Sequence, residues 1–269
     1  MKKHTELQFR GCINTPALFT TQFLDPISAI TLPSKLKPIP DIVVFTQHRL
    51  GKLVEEFVFH QLKQEASINW IIENVQIQNG KQTIGELDAL YYENNQPIHL
   101  EAVYKFYLYD RLNTYDNPLE YWIGPNRNDR LSYKLDKLKT KQFPLLYKEE
   151  TQVQLSSLGI EVSAIKQRLC FQAQLFLPYG MKPIETGVLN SECISGFYIP
   201  FADFNLFRGF KLYIPRKLDW LVNPHDNVDW LDYDTAQEII GLQIKDKRSP
   251  LIWLKRNNAT FEKCFITFW

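Results

Sequence analysis

Asp88, Glu101 and Lys105 stand in two short stretches, GELDAL and HLEAVYKFYL, that otherwise read as apolar β-strand. Side chains alternate along a strand, so His99, Glu101 and Lys105 share one face, and Glu86 shares a face with Asp88. NNQP separates the stretches, and its turn decides whether Asp88 joins Glu101. A four-residue turn over 94–97 pairs Asp88 with Val103, and a two-residue turn at Asn94–Asn95 pairs it with Glu101. A three-residue turn sends it to the opposite face. Carboxylates on neighbouring strands repel, and burying either without compensation is costly. A divalent cation removes the conflict. Hard oxygens from Asp88 and Glu101 suit Mg2+ (or Mn2+), which keeps water and binds phosphate oxygen. Lys105 beside it would position the attacking water and steady developing negative charge. The competing reading is a solvent-facing sheet with a weak Glu–Lys pair; the apolar flanks of HLEAVYKFYL favour a site.

Several elements must hold these residues. From Thr46 to about Ala66 the pattern is helical, with Leu50, Leu53, Val54, Phe57, Val58 and Leu62 on one face. Three strand candidates follow, near 74–79, 84–92 and 98–108. GPNRNDRLSYKLDKLKTKQFP predicts a second helix, capped by Asn126 or Asn128 and closed at Pro144. A short helical piece near 151–158 leads to a strand in RLCFQAQLFLPYG. The order is an α/β core over 46–178. Residues 1–45 read as an irregular extension packed on it. Residues 179–269 carry short aromatic strands that extend the core or form a small lobe.

RLGKLVEEF, GELDAL and HLEAVYKFYL together resemble the PD-(D/E)XK, or restriction-endonuclease-like, nuclease superfamily. WIGPNRNDRLSYKLDKLKTKQFPLLY is similar to a bacterial family of unknown function placed within it. The resemblance implies an αβββαβ core with a mixed sheet flanked by helices, and a metal-dependent nuclease cutting phosphodiester bonds. It also implies an acid from the first helix. On a wheel of about 100° per residue, Glu55 lies about 20° beyond Leu62 on the shoulder containing Gly51, and Glu56 about 60° outside the other edge. Glu55 is therefore the helix acid, acting through a second metal or a water. The superfamily's third strand places acid and lysine two residues apart, but Val103 holds that acid position here. Glu101 is one step upstream on the same face, about 6.6–7 Å along the strand from the position of Val103 and about 13–14 Å from Lys105. The alternative is an inactive nucleic-acid-binding or assembly protein that kept the fold.

On the second helix Arg130, Lys134, Lys137 and Lys141 recur at i, i+4, i+7 and i+11, with Arg127 just before. Beside an acidic metal site such a stripe would grip a nucleic-acid backbone, here taken as DNA; by itself it equally fits a solvated helix edge. Gln142 falls in the leucine face and either bonds the site acids or marks a fraying end. Other chemistries lack support. Five dispersed histidines form no HExxH, and no GxSxG or Walker A motif occurs.

A net charge of +1 excludes a global field drawing the chain to nucleic acid, so attraction must be local. The N-terminal segment never becomes a continuous apolar stretch, and no window reaches the length of a membrane span, so a cytoplasmic location is expected. Cys12, Cys170, Cys193 and Cys264 are scattered, as reduced core cysteines are. With 269 residues the chain can bury a large core.

Overall fold

The computed structural model describes residues 2–19, 24–33, 35–40, 45, 47–182, 184–256 and 260–269. In chain order the elements are α1 (Lys2–Ile13), β1 (Ser28–Ala29), α2 (Leu50–Lys63), β2 (Ile68–Asn79), β3 (Gln82–Glu93), β4 (Gln96–Tyr109) and β5 (Trp122–Ile123). There follow α3 (Leu131–Lys137), α4 (Glu149–Ser156), β6 (Lys166–Pro178), β7 (Ile194–Pro200), β8 (Lys211–Tyr213), α5 (Tyr233–Lys245), β9 (Leu251–Arg256) and β10 (Thr260–Thr267).

One mixed sheet in the order β2-β3-β4-β6-β7-β10-β9-β8 carries the fold, with β1 added on β6 and β5 on β4. Its centre is parallel, β4 to β6 to β7 to β10, and both wings are antiparallel. The aromatic C-terminal strands thus continue the core sheet. Strand β4 alternates between two apolar layers. Leu100, Ala102, Tyr104 and Phe106 face the cluster containing α2, whereas Val103 and Tyr107 face the one containing α3. Helix α5 covers the far wing through Tyr233, Ala236 and Ile240. The result is a mixed α/β fold with helices against a large sheet. Cys12, Cys170, Cys193 and Cys264 are buried and unpaired, as expected of core thiols. Among the described residues no helix is long and apolar enough to cross a membrane.

The structure corrects several expectations. The N-terminal extension contains the helix α1, whose buried Phe9, Cys12 and Ile13 were obscured by polar neighbours and Gly11. Helix α2 starts at Leu50, and Thr46, its expected start, lies outside the described residues. Strand β2 is longer than 74–79 because a register shift between Trp70 and Ile72 breaks its alternation. The second helix begins at Leu131 after Arg130, without a side-chain cap from Asn126 or Asn128; Asn126 instead accepts from the Ser249 amide at 2.8 Å.

Helix α1 docks so closely that a Cβ on Gly11 would lie 2.0 Å from the Leu221 carbonyl oxygen. Gly11→Ala is therefore expected to destabilise by about 1–3 kcal/mol, the usual cost of overpacking. A lower urea midpoint would register it; an unchanged midpoint would mean that the contact is dispensable.

Candidate metal centre

The β3–β4 turn is the two-residue one. Asn94 and Asn95 adopt φ of 48° and 67°, and Glu93 pairs with Gln96. Such turns require left-handed residues, which asparagine tolerates. The β3–β4 ladder runs to Ala89–Leu100 and stops one pair short of Asp88 and Glu101, while β4 stays paired with β6 as far as Leu108. Past that point Asp88 replaces a ladder bond with its side chain: the Ala102 amide donates to Asp88 Oδ2 at 2.9 Å. The strands fork there, and the acids collect at the fork.

Glu55, Glu86 and Asp88 each bring a carboxylate oxygen to a point where all lie within 4.8 Å of one another. An ion with oxygen ligands at about 2.1 Å spans partners up to about 4.2 Å apart, so little closing is needed. The donor set is all carboxylate, which suits a hard divalent ion such as Mg2+ or Mn2+. Glu101 stands behind it, wholly buried. Burial, then the charge of Asp88, pushes Glu55 up to about 7. Burial, then Glu101, pushes Asp88 up to about 7. Burial pushes Glu101 up to about 8 against the pull of Lys134. Crowded carboxylates that resist ionising are what a cation would relieve.

The expected residues separate into those brought together and those held apart. Glu55 joins Asp88, and Glu86, expected only as an accessory, is a full member of the cluster. Glu56 instead accepts from Gln47 at 3.1 Å. Glu101 faces the α3 side, where Gln142 Nε2 donates to its Oε2 at 2.5 Å. Gln142 is thus a partner of the acids and not a frayed end; its Oε1 accepts from Lys134 Nζ at 2.7 Å. A π-helical turn over Leu138–Gln142 follows α3, with a 3-10 turn at Phe143–Tyr147 beyond it.

His99 is buried beside Glu101. Gln167 Nε2 lies 3.1 Å from His99 Nδ1, which must accept, so Nε2 carries the proton toward Glu101 Oε1 at 3.1 Å. Burial pushes His99 down to about 4, so it acts as a neutral donor.

Lys105 does not take the place expected of it. Its Nζ donates to Asp129 Oδ2 at 2.5 Å. The lysine among the acids is Lys52, which donates to Glu55 at 2.6 Å, Glu86 at 2.5 Å and Asn74 at 3.0 Å. Burial opposes its charge, but the bonds to Glu55 and Glu86 outweigh this and raise its pKa. Lys52 lies three residues before Glu55 on α2, a spacing that puts both on one helix face, and that was the available signal.

Lys52 competes with a divalent ion for the same oxygens. Two partly exposed pairs are worth up to about 1 kcal/mol each, so Lys52→Met is expected to tighten Mn2+ binding roughly tenfold. Calorimetric titration checks this; weaker binding by the variant would show that Lys52 supports the ion.

The basic stripe is partly spent on structure. Arg127 pairs Asp110 at 2.8 Å and lies over the Trp269 ring. Arg130 lies over Tyr115 and Tyr133, and Lys134 serves Gln142. Lys137 and Lys141 are exposed. A cleft of about 640 Å³, lined in part by Arg49, Lys105, Asp129 and Lys217, opens at the start of α2, one residue before Lys52.

A family model described as a domain of unknown function (DUF1853) matches residues 20–265. No curated protein and no solved structure matches the chain.

Proposed function

The chain belongs to the DUF1853 family, and we propose that it is a metal-dependent nuclease with a restriction-endonuclease-like core formed by α2, β2–β4, α3 and β6. The observation that carries this reading is the convergence of Glu55, Glu86 and Asp88 at a sheet fork. Even with Lys52 beside them, burial and mutual repulsion hold Glu55 and Asp88 above the usual carboxylate range, a cost that a functional role explains better than stability does.

Glu55, Glu86 and Asp88 would hold Mg2+ or Mn2+. When bound, the ion supplies Lewis-acid polarisation of a phosphodiester and makes water a stronger nucleophile at neutral pH. The protein's own groups do the rest. Lys52, cationic at neutral pH, steadies negative charge developing beside the acids. Gln142 and His99 engage both oxygens of Glu101, which holds its carboxyl in one orientation behind the fork. Arg49, Lys105 and Lys217 offer cations along the cleft to a nucleic-acid backbone, proposed to be DNA, and Lys137 and Lys141 extend that surface.

The test is cleavage of single- and double-stranded DNA and of RNA in Mn2+, with EDTA, Glu55→Gln and Lys105→Ala as controls. Cleavage lost in EDTA and in Glu55→Gln supports the reading. Equal cleavage by Glu55→Gln would point to a contaminant. Mn2+ binding without cleavage of any substrate would favour a silent nucleic-acid-binding protein, a reading to which the Lys105–Asp129 pair lends weight.

A further inference from the structure

Lys263 on β10 is 4% exposed. Its Nζ donates to Gln174 Oε1 at 2.9 Å and to the Trp220 carbonyl at 2.8 Å, both neutral acceptors. Among the described residues no carboxylate is bonded to it; Glu262, next along the strand, gives its carboxylate to Arg256 at 2.5 Å. Lys263 pairs with Gly196 on β7, the strand between β10 and β6. A glycine there leaves the lysine free to reach across β7 to Gln174.

The orientation of that glutamine follows from a chain of bonds. Thr15 Oγ1 donates to the Gly11 carbonyl at 2.8 Å, so it accepts from Tyr104 OH at 2.7 Å. Tyr104 therefore accepts from Gln174 Nε2 at 2.7 Å, which turns Gln174 Oε1 toward Lys263. The amine thus meets two fixed acceptors, which match the two N–H bonds of a neutral –NH2 and leave its lone pair uncommitted. Lys263, Gln174, Asn14, Thr15, Ser195 and Asn223 help line a cavity of about 410 Å³, within the range of small-ligand pockets.

We infer that Lys263 is a nucleophilic amine that takes a small polar aldehyde or ketone as a Schiff base in this cavity. The nitrogen lone pair forms a bond to the carbonyl carbon, and the C=O π pair moves to oxygen. One amine proton passes to that oxygen and the second leaves with it as water, giving C=N. Burial pushes Lys263 down to about 7, which keeps a large neutral fraction at physiological pH. Hydroxyls and amides around the cavity would bond the ligand's polar groups.

Pyridoxal is the probe. One equivalent at pH 7.5, followed by borohydride reduction and peptide mapping, should place the adduct on Lys263 at least about tenfold over any surface lysine, because those amines are almost wholly protonated. Lys263→Met, with its fold checked by circular dichroism, should lose that adduct. Adduct spread over surface lysines with Lys263 bare in the folded protein, though labelled after denaturation, would overturn the inference. The wild-type map decides between these outcomes by itself, even if the variant fails to fold.

Discussion

Asp88→Asn is expected to abolish Mn2+ binding at the fork, to stop any cleavage with it, and to make the metal-free protein more stable. Asparagine keeps a side-chain oxygen to accept from the Ala102 amide, so the fork stays closed by the same bond, now 2.9 Å. What disappears is one of the crowded negative charges. Residues that only hydrogen-bond a metal's ligands cost about 10–100-fold in affinity when removed, and loss of a ligand should cost at least the upper figure. The opposite sign in stability follows from the repulsion among Asp88, Glu55 and Glu101. A gain of about 1–2 kcal/mol is the usual size when a functional group that strains a fold is neutralised. Calorimetry with Mn2+ and urea denaturation in EDTA measure the two effects. A variant that binds Mn2+ as well as wild type would remove Asp88 from the ligand set; a destabilised one would mean that the charge holds the fork together.

The second expected result concerns pH. Glu55 and Asp88 are pushed up to about 7 and Glu101 to about 8 in the metal-free protein, against about 4 in an unfolded chain. Between these values the folded state binds more protons than the unfolded one, so stability from these groups is full at acid pH and is lost as pH rises toward 8. His99 and His60, whose pKa values are lowered by burial, act in the opposite direction over part of this range. The difference between wild type and Asp88→Asn cancels His60 and the burial of His99, leaving of the histidines only the pull of the Asp88 charge on His99. In EDTA, the stability advantage of the asparagine variant should therefore widen from pH 5 to pH 8. Saturating Mn2+ should erase the trend in wild type, with protons released on binding, seen as a dependence of the calorimetric heat on buffer. An advantage that stays flat or narrows across this range would contradict the shared cause assigned to the three shifts.

How much of this could be read from residues alone depended on range of interaction. Helix α2 and the hairpin were legible because apolar spacing and an NN turn are local signals. A helix acid was implied by the resemblance, and the wheel position chose Glu55, which lies with Asp88, over Glu56. The partner of each charge was not. Lys105 shares the strand face of Glu101, yet Asp129, distant in sequence and delivered by a turn with its own geometry, captures it. Lys52 entered the cluster because α2 crosses the fork at a height no periodicity encodes. The two-residue turn was one of three open choices, settled by the left-handed φ that both asparagines accept. Parallel pairing of β6, β7 and β10 joins distant segments and leaves little local trace.

The π-helical turn after α3 carries a consequence for how such proteins diverge. A turn of this kind holds one residue more than an α-turn closes over, so the reach of Gln142 to Glu101 depends on a single codon of chain length. Deleting Thr140 would wind everything beyond it back by about 100° and carry the amide off the carboxylate. Within lineages of this family, a gain or loss of one residue at this point would thus separate chains that clamp Glu101 from chains that leave it to water.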